Sequence, residues 1–401
     1  MPWQERSPMD CRMHFMTDWQ RGCWTMTELC AEYGISRKTG YKWVARHATG
    51  GAAALADGSR RPLTSPTAID PTIAQIFVRL RKRHPHWGAK KLRKLAITRG
   101  LIRQAECPAR STICGLLAAQ GLVRARRRRQ RSPILTPQPF APIVAPNDVW
   151  TIDFKGEFRL GNRAYCYPLT LRDAFSRYVL RCDALSGCGY HDTRRRLERA
   201  FGTYGLPDRM RSDNGNPFAS PGLAGLSRLS VWWMRLGIAP ERIAPAHPEQ
   251  NGSHEQFHAV LKAHTTRPPA AHAAAQQRRF TRFCVEYNTV RPHDALGDDV
   301  PARRYRPSPR PLPPRLPALA YPGHCEIRRV SSIGCVTWRN HQVFVAAPLA
   351  GEDLAFEEVD TGIWTVWFAT TALARYDDRS RTWHPIIPFS RGRAAASPPR
   401  A

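Results

Sequence analysis

The pattern that most constrains the fold lies in residues 149–243, where short apolar segments alternate first with tight turns and then with longer helical stretches. The first three segments, at 149–156, 164–171 and 176–183, have the composition of strands, and the short turns between them predict an antiparallel meander. The elements after them are a helix at 191–204, a strand ending at 215, a helix at 222–235, a strand at 238–243 and a helix from 251. This alternation predicts an α/β domain.

Three carboxylates occupy chemically useful places in this pattern. Asp153 lies inside the first strand, Asp213 at the C-terminal edge of the fourth, and Glu255 in the helix after the fifth. Divalent metals need several oxygen ligands from different elements, and paired metals serve both the attacking and the leaving oxygen in a displacement at phosphorus. A single Asp in a strand is more often a hydrogen-bonding group, so this interpretation depends on the surrounding motifs.

Five motifs in a fixed order surround the carboxylates and carry a resemblance to a known family. They are WTIDFKG (150–156), DAFSRY (173–178), SDNGNPFAS (212–220), HPEQNGSHEQFH (247–258) and YNTVRPHDAL (287–296). Together they resemble the retroviral-integrase-like core of bacterial insertion-sequence transposases. The resemblance covers most of the chain, because two N-terminal helical patterns also resemble the end-binding domains of those transposases.

The resemblance implies a ribonuclease H-like fold, a mixed five-stranded sheet flanked by helices. It also implies that Asp153, Asp213 and Glu255 are the catalytic and metal-binding DDE triad, with two Mg²⁺ or Mn²⁺ ions per active site. The spacing between Asp213 and Glu255 is longer than is usual in that superfamily, and residues 225–237 supply part of the extra length. Glu249, in a loop with a proline, stays open as an alternative third carboxylate.

Several neighbours of the triad have expected roles. Asn214 lets the backbone approach the metals and the scissile phosphate, whereas Lys262 and His258 share the helix of Glu255 and are expected to contact DNA. An alternative for His258 is a packing histidine. His254 and His258 have the i, i+4 spacing of zinc ligands, but no third soft ligand accompanies them, so zinc is not expected. Asp173 is expected to order the turn at Ser176 rather than to bind metal.

Most of the excess positive charge lies in the N-terminal part of the chain. The 401 residues hold 61 basic and 32 acidic side chains, a formal charge of +29, and residues 1–132 hold 26 basic against 8 acidic. Such an excess favours a polyanion, nucleic acid ahead of membrane, as the partner. A solubilising surface is the alternative.

Residues 27–46 predict a helix-turn-helix, in which a helix at 27–33, a turn at Gly34 and a helix at 37–46 follow one another. The second helix of such a motif enters the major groove, so its basic and hydroxyl side chains are expected to bind DNA. They are Arg37, Lys38, Thr39 and Lys42. Tyr41 and Val44, with Trp43 as a further candidate, are expected in the core of this domain. A helical hairpin with a solvated charged face is the alternative.

The chain is expected to be multidomain. The predicted order is an all-α helix-turn-helix domain at 1–60, a second helical DNA-binding domain at 67–124, a basic linker at 125–145, the α/β core at 146–300, a Pro/Arg-rich linker at 301–322, a small β-barrel at 323–388 and a disordered tail at 389–401. Within the basic linker, Arg126, Arg127, Arg128 and Arg129 are expected to neutralise DNA phosphates.

Other classes of protein are disfavoured. There is no run of about 20 apolar residues, no apolar signal-peptide core in residues 1–18, and the 11 cysteines form no C-x-x-C pair. These features favour a cytoplasmic, nucleoid-associated protein. The sequence therefore predicts a transposase, acting as a homo-oligomer on double-stranded DNA, that cuts phosphodiester bonds and joins the element's ends to target DNA. A domesticated, inactive DNA-binding regulator and a metal-independent serine or tyrosine recombinase are the alternatives.

Overall fold

A computed structural model describes residues 7–58, 68–123, 140–220, 223–243, 250 and 252–386. The chain divides into two compact units, the first ending at Ile69 and the second beginning at Asp70. The predicted tail at 389–401 and most of the predicted basic linker, including Arg126–Arg129, lie outside the described residues. None of the helices within these ranges is long and apolar enough to cross a membrane.

The described part of the first unit is helical. Its elements are α1 (Pro8–Gln20), α2 (Met26–Glu32), α3 (Arg37–Gly50) and a 3₁₀ turn (Ala52–Leu55). Ser7, Thr25 and Ser36 cap the three α-helices by accepting hydrogen bonds from backbone N–H groups of the first turns. Phe15, Leu29 and Trp43 are buried together between the helices. The predicted helix–turn–helix at 27–46 is therefore present.

One core prediction in this unit is wrong, because Tyr41 is 58% exposed whereas Trp43 is buried. Gly40 marks the inner face of α3, since a Cβ at that position would lie 2.6 Å from Sγ of Cys30. The next residue is rotated by about 100° around the helix axis, which carries Tyr41 away from the core. Val44 packs against the core as predicted.

The second unit begins with another group of helices, α4 (Pro71–Arg83), α5 (Ala89–Thr98) and α6 (Arg110–Ala119). Phe77, Leu92 and Ile113, one from each helix, are fully buried in their common core. Side chains of this group bind the α/β core that follows it, through His84 with Glu286 and Lys90 with Asp294.

The α/β core contains a mixed sheet, as predicted. Its strands are β1 (Val149–Phe154), β2 (Phe158–Arg159), β3 (Tyr165–Asp173), β4 (Val179–Leu185), β5 (Arg209–Ser212) and β6 (Ala239–Arg242). The order across the sheet is β4-β3-β1-β5-β6, and the short β2 also pairs with β3. The meander β1-β3-β4 is antiparallel, whereas β5 and β6 run parallel to β1.

Helices cover the two faces of this sheet. They are α7 (Tyr190–Tyr204), α8 (Arg228–Arg235), α9 (Gly252–Thr265) and α10 (Ala273–Thr289). Trp150 and Ile152 of β1 pack with α7 and α8 in one apolar cluster, whereas α9 and α10 build a second cluster with Val179 and Cys182 of β4. Because alternate residues of a strand point to opposite faces, Thr151 and Asp153 lie on the α9 side.

The helix α8 lies in the predicted insertion at 225–237 and packs on two sides. Leu229 and Trp233 belong to the core of the α/β sheet, whereas Val231 and Met234 belong to the core of the C-terminal β region. Arg235, at the end of this helix, forms an ion pair with Glu352 of that region. The extra length between Asp213 and Glu255 thus includes a helix that connects two hydrophobic cores.

The C-terminal β region does not form the predicted closed barrel. Its strands are β7 (Glu326–Arg329), β8 (Cys335–Trp338), β9 (His341–Phe344), β10 (Asp353–Asp360), β11 (Ile363–Phe368), β12 (Thr371–Asp377) and β13 (Thr382–Pro385). They form an open antiparallel sheet in the order β13-β12-β11-β10-β7 and a separate hairpin β8-β9. The sheet stays open because its apolar face is covered partly by the hairpin and partly by Val231 and Met234 of α8.

The predicted Pro/Arg-rich linker at 301–322 lies against the α/β core in its first half. It begins with a short helix α11 (Pro301–Arg304), after which Tyr305 is buried and stacks on Tyr178 with 4.5 Å between ring centroids. The guanidinium of Arg310 donates to the carbonyl oxygens of Pro207 and Gly237 at 2.9 Å. These contacts fasten the segment to the core.

Candidate active site

Two carboxylates meet where β1 and β5 end. The parallel register pairs Thr151 with Arg211, so the next residues on the same face are Asp153 and Asp213. Asp213 follows β5 directly. The sheet therefore places both side chains at neighbouring strand ends, whereas the sequence predicts only that each lies in or at the end of its own strand.

Glu255 lies in the first turn of α9 and is exposed. Burial, the carboxylate of Asp213 and, to a smaller extent, that of Glu255 raise the pKa of Asp153 to about 7, against the opposing effects of the Phe154 backbone N–H and Lys155. Asp213 and Glu255 are thus both near enough to raise the pKa of Asp153. Glu249, the alternative third carboxylate, lies outside the described residues.

Asp213 has an unsatisfied buried atom, since its Oδ1 has no hydrogen-bond partner among the described residues. Burial raises the pKa of Asp213, whereas the backbone N–H of Gly215 lowers it by a hydrogen bond. A Cβ at position 215 would lie 3.0 Å from Oδ2 of Asp213, so glycine leaves room around this carboxylate. A buried carboxylate oxygen without a donor is suited to a cation.

A buried network of hydrogen bonds between β1, β3 and α9 holds the backbone of Asp153. The Thr170 hydroxyl on β3 donates to the carbonyl oxygen of Asp153 at 3.0 Å and contacts Nε2 of His254 at 2.6 Å and Nε2 of His258 at 2.8 Å. Nδ1 of His254 in turn lies 2.9 Å from the hydroxyl of Thr151. Because one hydroxyl carries one proton, Thr170 accepts from both rings, and each Nε2 carries a hydrogen.

This tautomer assignment leaves Nδ1 of His258 as a lone pair that faces Oδ2 of Asp153 at 3.7 Å. Burial lowers the pKa of His258 to about 3, with Lys155 and Arg172 adding to the effect, so the ring is neutral near pH 7. Ligand atoms of Asp153, His254 and His258 lie within 4.8 Å of one another, the one such group in the described part of the chain. Asp153 is the third member of this group, which the spacing of the histidine pair alone did not show.

The remaining predicted neighbours are placed as follows. His258 is only 7% exposed, so it packs beneath Asp153, and the prediction that it contacts DNA is not supported by its position. Asn214 is exposed, and its Nδ2 donates to the carbonyl oxygen of Ile243 at 2.8 Å, which joins the ends of β5 and β6. Lys262 is exposed two turns after Glu255 on α9. Asp173 accepts hydrogen bonds from Ser176 and orders that turn, as predicted.

Comparison with protein families agrees with this geometry. Residues 144–248 match an integrase core domain, and residues 236–301 match a second family with the same description. The chain contains an integrase core domain. Residues 12–62 match a helix-turn-helix domain and residues 39–117 a homeodomain-like domain. The resemblance proposed from the motifs is thereby confirmed.

Insertion elements encode two relatives of this integrase-core protein. A 39.2 kDa uncharacterized protein of insertion element IS476 from Xanthomonas euvesicatoria is 27% identical over 254 residues, which cover 63% of this chain and 69% of that protein. A 31.7 kDa uncharacterized protein of IS407 from Burkholderia multivorans is 26% identical over 242 residues, covering 59% of this chain and 82% of that protein. Among solved structures, the HTLV-2 integrase catalytic core in complex with magnesium is 14% identical and covers 41% of this chain and 99% of its own, with a TM-score of 0.33.

The four residues of the helix-turn-helix domain predicted to bind DNA lie in the first turns of α3. Arg37, Lys38 and Lys42 are exposed and Thr39 is half-buried. Thr39 also hydrogen-bonds Ser36 at the helix start, which fixes its side chain. The structure thus presents three cations on one end of α3.

The sequence interpretation missed the roles of Thr151 and Thr170 in the integrase core. A signal for both was present, because alternation along β1 and β3 places them on the same face as Asp153. The histidine spacing of four residues also puts His254 and His258 on one side of α9. Combining the two periodicities would have predicted a polar layer between sheet and helix.

Proposed function

We propose that this protein is a DNA transposase that binds the ends of its element, cuts phosphodiester bonds and transfers a 3′-hydroxyl end to target DNA. The observation that carries the proposal is the meeting of Asp153 and Asp213 at adjacent parallel strand ends, with Glu255 close enough to raise the pKa of Asp153. The relatives encoded by insertion elements support a mobile-element origin. On this proposal the protein acts on DNA in the bacterial nucleoid.

The donor set fits divalent metal. Asp153, Asp213 and Glu255 would hold two Mg²⁺ or Mn²⁺ ions, since they offer oxygen ligands and Asp213 Oδ1 has no donor among the described residues. Two such ions, when bound, activate the attacking oxygen and stabilise the leaving oxygen in an in-line displacement. The Nδ1 lone pair of His258 adds an acceptor beside Asp153.

The protein's own groups orient this site. Thr170 holds the backbone of Asp153 and both histidine rings, so the carboxylate has a fixed position at the end of β1. Asn214 fixes the loop after β5 through Ile243. Lys262, on the exposed side of α9, is suited to a phosphate of the DNA end.

DNA recognition is assigned to the helix-turn-helix domain, where Arg37, Lys38, Thr39 and Lys42 would contact the major groove. Arg126–Arg129, outside the described residues, would add phosphate contacts. Because two element ends must be joined, we propose that the protein works as a homo-oligomer on double-stranded DNA.

The test uses the purified full chain, DNA that carries the inverted repeats flanking the gene, and Mg²⁺ or Mn²⁺. We expect Asp153→Asn and Asp213→Asn each to reduce strand cleavage by about 10²–10³-fold or more, because each removes a charged oxygen ligand. End binding should persist in both variants. The control is Asp192→Asn, which changes a half-buried carboxylate on α7 that pairs with Arg195.

Cleavage that survives Asp153→Asn would contradict the metal assignment. Tight end binding by the natural sequence, with no cleavage in either metal, would instead support the DNA-binding regulator. A covalent protein–DNA intermediate formed without metal would support a serine or tyrosine recombinase.

A further inference from the structure

A cavity of about 310 Å³ lies between α5 and the integrase core, on the flank of α9. Five basic side chains line it, and we call it the cationic pocket: Lys91, Arg172, Arg177, Arg291 and His293. Its rim includes the exposed residues Ser253, Gln256 and Asp294, so it opens to solvent. Neither the proposed metal chemistry nor the helix-turn-helix domain uses these groups.

The guanidiniums in this pocket are buried without full compensation. Arg172 is 3% exposed and Arg291 is 8% exposed. Nε of Arg172, together with Nε and Nη1 of Arg291, has no hydrogen-bond partner among the described residues. Buried cations are normally paired, because an unpaired charge in the interior is costly. The pocket therefore holds N–H donors without acceptors.

Acidic neighbours do not supply the missing acceptors. Asp294 is the one carboxylate among the described lining residues, and its Oδ1 is 3.2 Å from Nζ of Lys90 outside the lining. Asp173, adjacent to Arg172 in sequence, accepts from the backbone N–H groups of Asn147 and Ser176. Asp294, Glu286 and Asp298 act electrostatically on Arg291 or Lys91, so the positive charge of the pocket is offset only in part.

The lowered pKa of His293 shows that the cations of the pocket lie close to this ring. Burial, followed by the charges of Lys91, Arg291, Arg172 and Arg177, lowers the pKa of His293 to about 3. Burial and the charge of Arg291 also lower the pKa of Lys91 to about 8, which leaves it largely protonated at pH 7. Four positive groups therefore surround one small space.

We propose that the cationic pocket binds a phosphate group. Planar guanidinium donors and a lysine ammonium match the several oxygens of a phosphate, and a single carboxylate would leave most of the charge unbalanced. The His293 Nε2 atom, also buried without a partner among the described residues, can add a further hydrogen bond. A bound phosphate would join Lys91 of α5 to Arg172 and Arg291 of the core.

The phosphate can come from a DNA backbone or from a free phosphate compound. The positive charge of the pocket favours the phosphates of DNA, the substrate of the proposed function, although the α9 residues in its lining form a face about 150° around the helix axis from Glu255. This choice of source rests on the proposed function. Phosphate binding itself does not, since it rests on the donors alone.

The first arm of the test uses inorganic phosphate. Thermal unfolding of the full chain at pH 7 is measured in sodium phosphate and in sodium chloride of equal ionic strength. Phosphate should raise the midpoint in the natural sequence, because a ligand of the folded state stabilises it. In Lys91→Gln and Arg291→Gln the phosphate concentration needed for the same rise in midpoint should be about tenfold higher or more. Lys94→Gln, on the exposed side of the same helix, is the matched control and should behave like the natural sequence.

The second arm distinguishes the source of the phosphate. If a DNA backbone supplies the phosphate, the logarithm of the affinity for element-end DNA should depend less steeply on the logarithm of the salt concentration in Lys91→Gln, with a slope smaller in magnitude by about one. In Lys94→Gln the slope should stay unchanged. An unchanged slope in Lys91→Gln, with the inorganic-phosphate effect intact in the natural sequence, identifies a free phosphate compound as the ligand. An equal response to phosphate and chloride, or an equal response of all variants, overturns the proposal. Loss of cleavage activity affects neither arm.

Discussion

The two helical regions at the N-terminal side look alike in sequence but differ in what their charges do. In the first unit, Arg37 and Lys38 on α3 are exposed and form no ion pair with the described residues. In the second, Lys90 on α5 binds Asp294 at 3.2 Å and Asp298 at 2.9 Å. A basic helix therefore serves as an open surface in one region and as a docking face in the other.

The docking face extends beyond Lys90. His84, after α4, is buried, and its Nδ1 lies 2.9 Å from Oε1 of Glu286 on α10. Arg291 lies over the ring of Trp87, 5.6 Å from its centroid. Composition cannot separate the two uses, because both regions are basic and amphipathic. What separates them is the presence of acidic partners elsewhere in the chain.

The largest effects should come from the cores of the two regions. Leu29 in the first unit and Leu92 in the second are fully buried. We expect Leu29→Ala and Leu92→Ala each to lower the free energy of unfolding by about 2–5 kcal/mol, from lost transfer energy and the cavity left behind. Calorimetry of the full chain is the measurement. If the two substitutions shift different unfolding transitions, the two helical regions unfold independently. If they shift one common transition, the proposed difference between the regions is contradicted.

Smaller effects are expected from single basic side chains, which should alter either DNA affinity or thermal stability but not both. Arg37→Ala should weaken binding to element-end DNA about tenfold, since a lost base contact costs about 1–3 kcal/mol, and should leave the melting temperature unchanged. Lys90→Ala should instead lower the melting temperature and leave DNA affinity unchanged, because the Lys90 ammonium pairs with two core carboxylates. Fluorescence anisotropy and thermal melting on the same samples measure both. If Lys90→Ala weakens DNA binding as much as Arg37→Ala does, the two regions share one function.

The sequence predicts much of this molecule because local signals act over few residues. Hydroxyl caps and Gly34 specify the helix starts and turn of the first unit, and strand alternation with the motifs specifies the sheet positions of Asp153 and Asp213. The predicted burial of Tyr41 failed because the inner face of α3 is set by the close approach of Gly40 to Cys30. Such a contact depends on the angle between two helices, which no local pattern records.

Longer-range features were beyond prediction for the same reason. The bond between Thr170 and His254 joins residues 84 positions apart, so it depends on how α9 settles on the sheet. The prediction of a β-barrel was wrong because Val231 and Met234, far away in sequence, cover the apolar face of the C-terminal sheet. Both cases need the tertiary arrangement before the role of a side chain becomes visible.

The smallest effect concerns the buried end of the docking face, where Glu286 pairs with His84. The hydrogen bond from His84 holds the pKa of Glu286 below its ordinary value of 4.5. A carboxylate with a lowered pKa in the folded state stabilises the protein above its ordinary pKa, and this contribution is lost as the pH falls below about 4.5 toward the folded value. Glu286→Gln should remove about 1 kcal/mol or less at pH 7, since its side chain is partly open to water.

Urea unfolding at pH values from 7 to 3 checks this expectation, because the variant should lose less stability than the natural sequence as the pH falls. The control is Glu32→Gln, on the exposed side of α2 in the first unit, which should follow the natural sequence at every pH. If Glu286→Gln shows the same acid dependence as the natural sequence, the hydrogen bond between His84 and Glu286 does not hold the second helical region to the core. The contrast with the open basic surface of α3 would then rest on Lys90 and on the contact of Arg291 with Trp87.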